Sequence, residues 1–120
     1  MDNWSILVVE DEPDGQEVVS SILRYHNLSV DVAGDAESAL DLLNQQRYAL
    51  AIIDLSLPGL SGWELLNIIR NSGSDMPCVA VTAYHSSDVA VKAIQAGFKA
   101  YFPKPLDPTS FVRQLEYYFS

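Results

Sequence analysis

The sequence predicts an α/β fold in which five parallel strands alternate with five helices. Short runs rich in Val, Ile, Leu and Ala recur along the chain, and the first and third are too uniformly apolar for strands with one face in water. The segments between these runs carry apolar residues at helical spacing. Proline, glycine and capping residues mark the boundaries between the predicted strands and helices. This alternation favours a parallel sheet with helices on both faces and right-handed crossovers.

The first strand is predicted over residues 4–9, and the first helix starts at Pro13, a residue suited to the first turn of a helix. We expect Asn27 to end that helix in the left-handed conformation. An alternating second strand spans residues 28–32, and Asp35 caps the helix that follows. The apolar face of the first helix comprises Val18, Val19, Ile22 and Leu23, and that of the second comprises Ala36, Ala39, Leu40 and Leu43.

The third strand, residues 48–53, is apolar throughout, so we expect both of its faces to be buried. Pro58 and Gly59 then turn the chain, with Gly59 supplying the positive φ of a type II turn. Ser61 and Glu64 form a capping box at the start of the third helix. The apolar face of this helix comprises Leu65, Leu66, Ile68 and Ile69.

The fourth strand, residues 77–81, precedes a helix that we expect to begin near Ser86 or Ser87 and to end at Gly97. The fifth strand spans residues 99–102, and Asp107 caps the last helix. Its apolar face comprises Phe111, Val112, Leu115 and Tyr118.

Composition limits the classes of function. The 120 residues suit one domain, residues 1–120, with a hydrophobic content of 48%. The net charge of −9 argues against direct binding of nucleic acid or an anionic membrane, because both demand Lys and Arg. Neither a signal peptide nor an apolar run of membrane-spanning length is evident. The single cysteine, Cys78, is expected in the core, and a cytoplasmic location fits.

Polar residues follow four of the predicted strands. Glu10 and Asp11 follow the first strand, Asp54 the third, Thr82 the fourth and Lys104 the fifth. Ligands of open parallel sheets bind beyond the carboxyl ends of the strands, so we expect these side chains to converge. Nothing comparable follows the second strand, which suggests that it lies at an edge of the sheet.

Three converging carboxylates repel one another unless a cation joins them. Mg²⁺ prefers carboxylate oxygens and keeps several waters, so it suits such a cluster. Lys104 and Thr82 add a positive charge and a hydroxyl donor. Together these groups suit phosphoryl transfer with Asp54 as the nucleophile. Each residue alone also has a structural interpretation, such as a helix-capping acid, a turn aspartate or a surface lysine.

These residues carry a resemblance to the receiver domain of bacterial two-component response regulators, over essentially the whole chain. The matching motifs are residues 7–12, residues 54–62, Thr82-Ala83 and Lys104-Pro105. The resemblance implies a flavodoxin-like three-layer sandwich with five parallel strands in the order 2-1-3-4-5. It also implies a cis peptide bond before Pro105.

The resemblance further implies that Asp54 accepts a phosphoryl group from a phosphohistidine on a sensor histidine kinase or histidine phosphotransfer protein. Mg²⁺ would be held directly by Asp11, Asp54 and the backbone carbonyl of Ser56, and through a water by Glu10. Three donors would bind the phosphoryl oxygens, namely Lys104, the Thr82 hydroxyl and the backbone N–H of Ala83. Such a domain catalyses only its own phosphorylation and dephosphorylation.

The resemblance also implies a conformational switch. Thr82 would move toward the phosphoryl group, and Tyr101, three residues before Lys104, would turn inward. The face made by the fourth helix, the fifth strand and the fifth helix would change and control an output domain, another partner or a homodimer.

One position varies from the commonest pattern of the family, because the acidic pair is Glu10-Asp11 where Asp-Asp is frequent. The main alternative function is a receiver-like module that docks partners without phosphorylation. A flavin carrier of the same fold would need a phosphate-binding loop in place of the acidic loop after the first strand. An aspartyl phosphatase would need its nucleophile on the first strand.

Overall fold

The computed structural model describes residues 4–119, so residues 1–3 and 120 of the predicted domain lie outside the described part. Five strands and five helices alternate along it: β1 (Ser5–Val9), α1 (Pro13–Tyr25), β2 (Ser29–Ala33), α2 (Ala36–Gln45), β3 (Leu50–Asp54), α3 (Gly62–Asn71), β4 (Cys78–Thr82), α4 (Ser87–Ala96), β5 (Ala100–Pro103) and α5 (Pro108–Phe119). Within residues 4–119, none of these helices has the length and apolar character needed to cross a membrane.

The strands form one parallel sheet in the order β2-β1-β3-β4-β5, which confirms the predicted fold class and the edge position of β2. Each predicted strand began one or two residues too early. Leu28 and Tyr48 explain part of this difference, because both are buried although they precede the paired segments β2 and β3. The apolar runs in the sequence reflect burial, and the buried residues extend beyond the residues that pair in the sheet.

Two apolar clusters fill the spaces on either side of the sheet. Leu7 and Val9 of β1 belong to one cluster, and Ile6 and Val8 belong to the other, as expected when successive side chains of a strand point to opposite faces. The first cluster includes residues of α2, α3 and α4, and the second includes residues of α1 and α5. All residues of β3 and β4 are buried, so the two central strands are covered on both faces.

Side chains cap the helices where the sequence predicted. Asp35 accepts a hydrogen bond from the Ser38 backbone at 2.7 Å, and Ser61 and Glu64 complete a capping box. Asp107 accepts from two backbone N–H groups of α5 at 2.9 and 3.0 Å. Positive φ angles occur at Asn27 and Gly59, as predicted, and α4 ends at Gly97, which also has a positive φ.

Three residues that were predicted to face the core are exposed instead: Val18, Ile68 and Tyr118. Val18 and Ile68 each precede a buried residue, Val19 or Ile69, by one position. One position corresponds to a rotation of about 100° around the helix axis. A helix packed on a sheet buries only one stripe, so these side chains lie outside it.

Candidate functional site

Three acidic side chains meet beyond the carboxyl ends of β1 and β3. Val9 is paired with Ile53, so Glu10, which follows β1, and Asp54, the last residue of β3, are adjacent. Glu10 is 1% exposed and Asp54 is 5% exposed, whereas Asp11 is half-buried. One carboxylate oxygen from each of the three lies within 4.8 Å of the others.

Lys104 supplies the positive charge within this cluster. Its ammonium donates to Asp54 Oδ2 at 2.7 Å and makes a very close ion pair with Glu10 Oε1. Lys104 follows β5, two strands away from β3, so its long side chain reaches across the end of β4. Its backbone N–H donates to the Thr82 carbonyl at 2.8 Å, and the peptide bond to Pro105 is cis.

Backbone N–H groups of the neighbouring loops orient the two buried carboxylates. The N–H of Ser56 donates to Asp54 Oδ1 at 2.8 Å, and the N–H of Glu12 donates to Glu10 Oε2 at 3.1 Å. Gln16 also donates from its side chain to the Glu10 carbonyl at 2.7 Å. Both carboxylates therefore have one oxygen fixed by the backbone and the other directed at Lys104.

The electrostatic balance of the cluster is negative. Burial raises the pKa of Glu10, and the charge of Asp54 adds to this effect against the opposing hydrogen bonds from Lys104 and Glu12. Burial alone would lower the pKa of Lys104, but its hydrogen bonds and charge interactions with Asp54 and Glu10 outweigh burial and raise that pKa. Lys104 is thus protonated at neutral pH, and one ammonium faces three carboxyl groups.

Thr82 lies at the same carboxyl-terminal end of the sheet. Val81 is level with Asp54, and Thr82 is the last residue of β4 and is almost fully buried. Its hydroxyl oxygen accepts a hydrogen bond from the N–H of Tyr84 at 3.1 Å. Ala83 follows in the exposed loop after β4, and Ser56 lies in the exposed part of the loop after β3.

The half-buried ring of Tyr101 in β5 has a partner that the sequence did not indicate. Its hydroxyl lies 2.8 Å from Nδ1 of His85, and the two ring centroids are 5.7 Å apart. His85 and Tyr84 lie in the loop that directly follows Thr82. No spacing rule connects residues 85 and 101, since their contact depends on β4 and β5 being neighbours.

Gly62 sets the distance between α3 and the end of β3. A Cβ atom at this position would lie 2.4 Å from the Asp54 carbonyl oxygen and 2.8 Å from Leu55 Cα. The N–H of Gly62 donates to the Leu55 carbonyl at 3.2 Å. The start of α3 therefore packs directly against the backbone that carries Asp54.

The acidic cluster suits a hard divalent cation. Carboxylate oxygens are the preferred protein ligands of Mg²⁺, and three of them converge here. Lys104 already bridges two of the three residues, which indicates that this site favours positive charge. The residues present therefore fit a metal ion of this class.

Comparison with known proteins identifies the family. The sequence model of the response regulator receiver domain matches residues 6–116. The chain belongs to this family. The receiver domain is 34% identical over 115 residues to an uncharacterised 14.6 kDa protein encoded in the sodA1 3′ region of Leptolyngbya boryana, an alignment that covers 94% of this chain and 88% of that protein.

Response regulator MprA of Mycolicibacterium vanbaalenii is 35% identical over 100 residues, which cover 83% of this chain and 43% of MprA. The chain thus spans less than half of that relative. A CheY-like receiver domain protein from Methanospirillum hungatei JF-1 has a solved structure that superposes with a TM-score of 0.86 at 28% identity, covering 96% of this chain and 92% of that one. Receiver domains are signalling domains, and phosphorylation and Mg²⁺ binding are typical of the family.

Proposed function

We propose that residues 1–120 form a phosphoacceptor domain of a two-component system and that Asp54 is the residue phosphorylated. One observation carries this proposal. Asp54 is a buried carboxylate at the end of a central strand, with Lys104 on one oxygen and two further acids beside it. Packing alone does not explain this buried charge, since an apolar residue at that position would avoid the unfavourable free energy of burying it.

In the proposed reaction, one carboxylate oxygen of Asp54 forms a bond to phosphorus while the bond from phosphorus to the donor nitrogen breaks. The donor is a phosphohistidine of a sensor histidine kinase or histidine phosphotransfer protein, and its imidazole departs with the electron pair of the broken bond. The negative charge of the acyl phosphate must be balanced. Lys104, the Thr82 hydroxyl and the backbone N–H of Ala83 are the proposed donors to the phosphoryl oxygens.

Mg²⁺ is the proposed cofactor, and when bound it would neutralise charge on the phosphoryl oxygens. Asp11, Asp54 and the backbone carbonyl of Ser56 would hold it directly, and Glu10 would act through a water. The clustering of Glu10, Asp11 and Asp54 within 4.8 Å supports this assignment. Lys104 would exchange part of its contact with these carboxylates for the phosphoryl group.

The proposed output is a change of the face formed by α4, β5 and α5. The Thr82 hydroxyl oxygen accepts from the loop that also carries His85, and His85 contacts Tyr101. Movement of Thr82 toward a phosphoryl group would therefore disturb the loop and the ring of Tyr101. An output domain, another protein or a second copy of the chain would respond to this face, in the cytoplasm and without direct contact to nucleic acid or membrane.

The proposal is tested by phosphorylating the chain with acetyl phosphate and Mg²⁺ and recording its intact mass. We expect one added phosphoryl group on the parent chain, none on Asp54→Asn, and none when EDTA replaces Mg²⁺. Asp75→Asn is the matched control, because Asp75 lies in an exposed loop before β4, at the other end of that strand. It should take up as much phosphate as the parent.

Absence of added mass on the parent, or equal addition on Asp54→Asn, would overturn the assignment. The better proposal would then be a receiver-like module that binds its partners without phosphorylation. The complete set of Glu10, Asp11, Asp54 and Lys104 favours phosphorylation, because a docking module has no need for this costly cluster.

A further inference from the structure

Gly15 lies in the first turn of α1, where its backbone does not require glycine. The residues with positive φ in the described part of the chain are Asn27, Gly59, Gly73 and Gly97, so Gly15 is not among them. Glycine also disfavours a helix relative to alanine. The absence of a side chain at position 15 therefore needs another reason.

The side chain of Glu10 occupies the space that a residue 15 side chain would need. A Cβ atom on Gly15 would lie 2.5 Å from Glu10 Oε1, 2.8 Å from Cδ and 3.1 Å from Cγ. The first two distances are shorter than any acceptable non-bonded contact. Either Glu10 or α1 would have to move to admit even a methyl group.

Glu10 has little freedom to move aside. Its side chain is buried, Oε1 is paired with Lys104, and Oε2 accepts from the Glu12 backbone at 3.1 Å. Oε1, the atom that Lys104 contacts, is also the atom closest to the position of the missing Cβ. Displacement would weaken a charge-assisted hydrogen bond in a buried site, where such bonds are costly to lose.

We propose that Gly15 is a positioning residue for the acidic pair, because it leaves open the space that the Glu10 side chain occupies. The extra methylene of Glu10 carries the carboxylate over the backbone of α1, into the volume that glycine leaves open. Residues 10 and 15 of this chain therefore form one unit, in which Glu10 occupies the volume that a side chain at position 15 would need. The inference rests on the proposed function in treating Glu10 as part of the metal site.

The test compares Gly15→Ala, Glu10→Asp and the double variant with the parent. Two quantities are measured: the affinity for Mg²⁺ alone, by NMR titration, and the urea midpoint in EDTA. We expect Gly15→Ala to weaken Mg²⁺ binding about 10-fold, as displacement of a supporting group does at metal sites, and to lower the urea midpoint. Adding Glu10→Asp to Gly15→Ala should restore both, because the shorter acid ends one carbon earlier.

Gly34→Ala is the matched control. A Cβ at Gly34 would make only an ordinary contact, 3.7 Å from Gln16 Nε2, and Gly34 lacks a positive φ. It should leave the Mg²⁺ affinity unchanged. If Gly15→Ala does not fold, recovery of folding in the double variant is the expected result.

Equal behaviour of Gly15→Ala and Gly34→Ala, or no recovery on adding Glu10→Asp, would overturn the inference. The measurement in EDTA keeps it separate from the proposed function. If the parent accepts no phosphoryl group but the urea midpoint falls in Gly15→Ala and recovers in the double variant, the proposed function fails while the pairing of residues 10 and 15 stands.

Discussion

The carboxylate of Asp54 depends on two neighbours of opposite kinds. Lys104 compensates its charge at 2.7 Å, and Gly62 lets α3 begin against its backbone. The first contact is electrostatic and reaches across β4, whereas the second is steric and comes from the segment just after β3. A buried carboxylate at a strand end therefore needs both a charge partner and a close-packed support to keep a single position.

Gly62→Ala tests the steric support. Because the new Cβ would lie 2.4 Å from the Asp54 carbonyl oxygen, a backbone atom that cannot rotate away, we expect the free energy of unfolding to fall by about 1–3 kcal/mol. Phosphorylation of Asp54 should slow as well. Urea unfolding gives the first quantity, and Gly34→Ala controls for the general effect of replacing glycine. Equal stability of the two variants would contradict close packing of α3 against the backbone of Asp54.

His85→Ala tests the contact with Tyr101. Loss of this exposed hydrogen bond should lower the free energy of unfolding by about 0.5–1 kcal/mol and shift the NMR signals of the Tyr101 ring. Tyr101→Phe removes the same bond from the other side. The double variant should then lose no more stability than either single variant, since both remove one interaction. Fully additive losses would show that the two side chains do not interact.

At the scale of whole elements, most structure follows from local signals. Caps at Asp35, Ser61 and Asp107 fix where three helices begin, and these were predictable because a cap and its partner lie within three residues of each other. The direction of single side chains was less predictable. The exposure of Val18 depends on which stripe of α1 meets the sheet, and this is decided by the packing partner rather than by α1 itself.

The helix cap formed by Asp107 should make the stability of the fold depend on pH. The pKa of Asp107 lies below the usual value because the backbone N–H groups of Ser110 and Thr109 donate to the carboxylate. A lowered pKa means that the ionised form stabilises the folded state above the unfolded pKa, about 3.9, and that this contribution disappears as the pH falls. We expect Asp107→Ala to lower the urea midpoint at pH 7 and to approach the parent in acid.

Asp107→Asn is the control for this pH effect, because asparagine also caps helices but does not titrate. Its urea midpoint at pH 7 should stay close to that of the parent. A constant gap between Asp107→Ala and the parent from pH 7 into acid would show that the charge of the cap contributes nothing.

At the scale of the whole molecule, topology brings the site together. Glu10, Asp54 and Lys104 are far apart in sequence. The strand order β2-β1-β3-β4-β5 and the common direction of the strands bring them together at the carboxyl ends of the strands. This convergence was predictable, because parallel strands end on the same side. The direct pairing of Lys104 with Glu10 was not, since it depends on how a long side chain crosses β4.

The acidic cluster should lower the stability of the whole domain when no cation is bound. Asp11 is half-buried beside two carboxylates. Asp11→Asn should therefore raise the free energy of unfolding in EDTA by about 1 kcal/mol, a size typical of mutations that stabilise a protein while weakening its functional site. Mg²⁺ should reverse the order, because a ligand at roughly 100 times its Kd adds about 2.7 kcal/mol to the form that binds it. Urea unfolding of both chains in EDTA and in Mg²⁺ measures the two differences. If Asp11→Asn is no more stable than the parent in EDTA, the three carboxylates do not repel one another enough to matter, and the need for a cation loses its electrostatic basis.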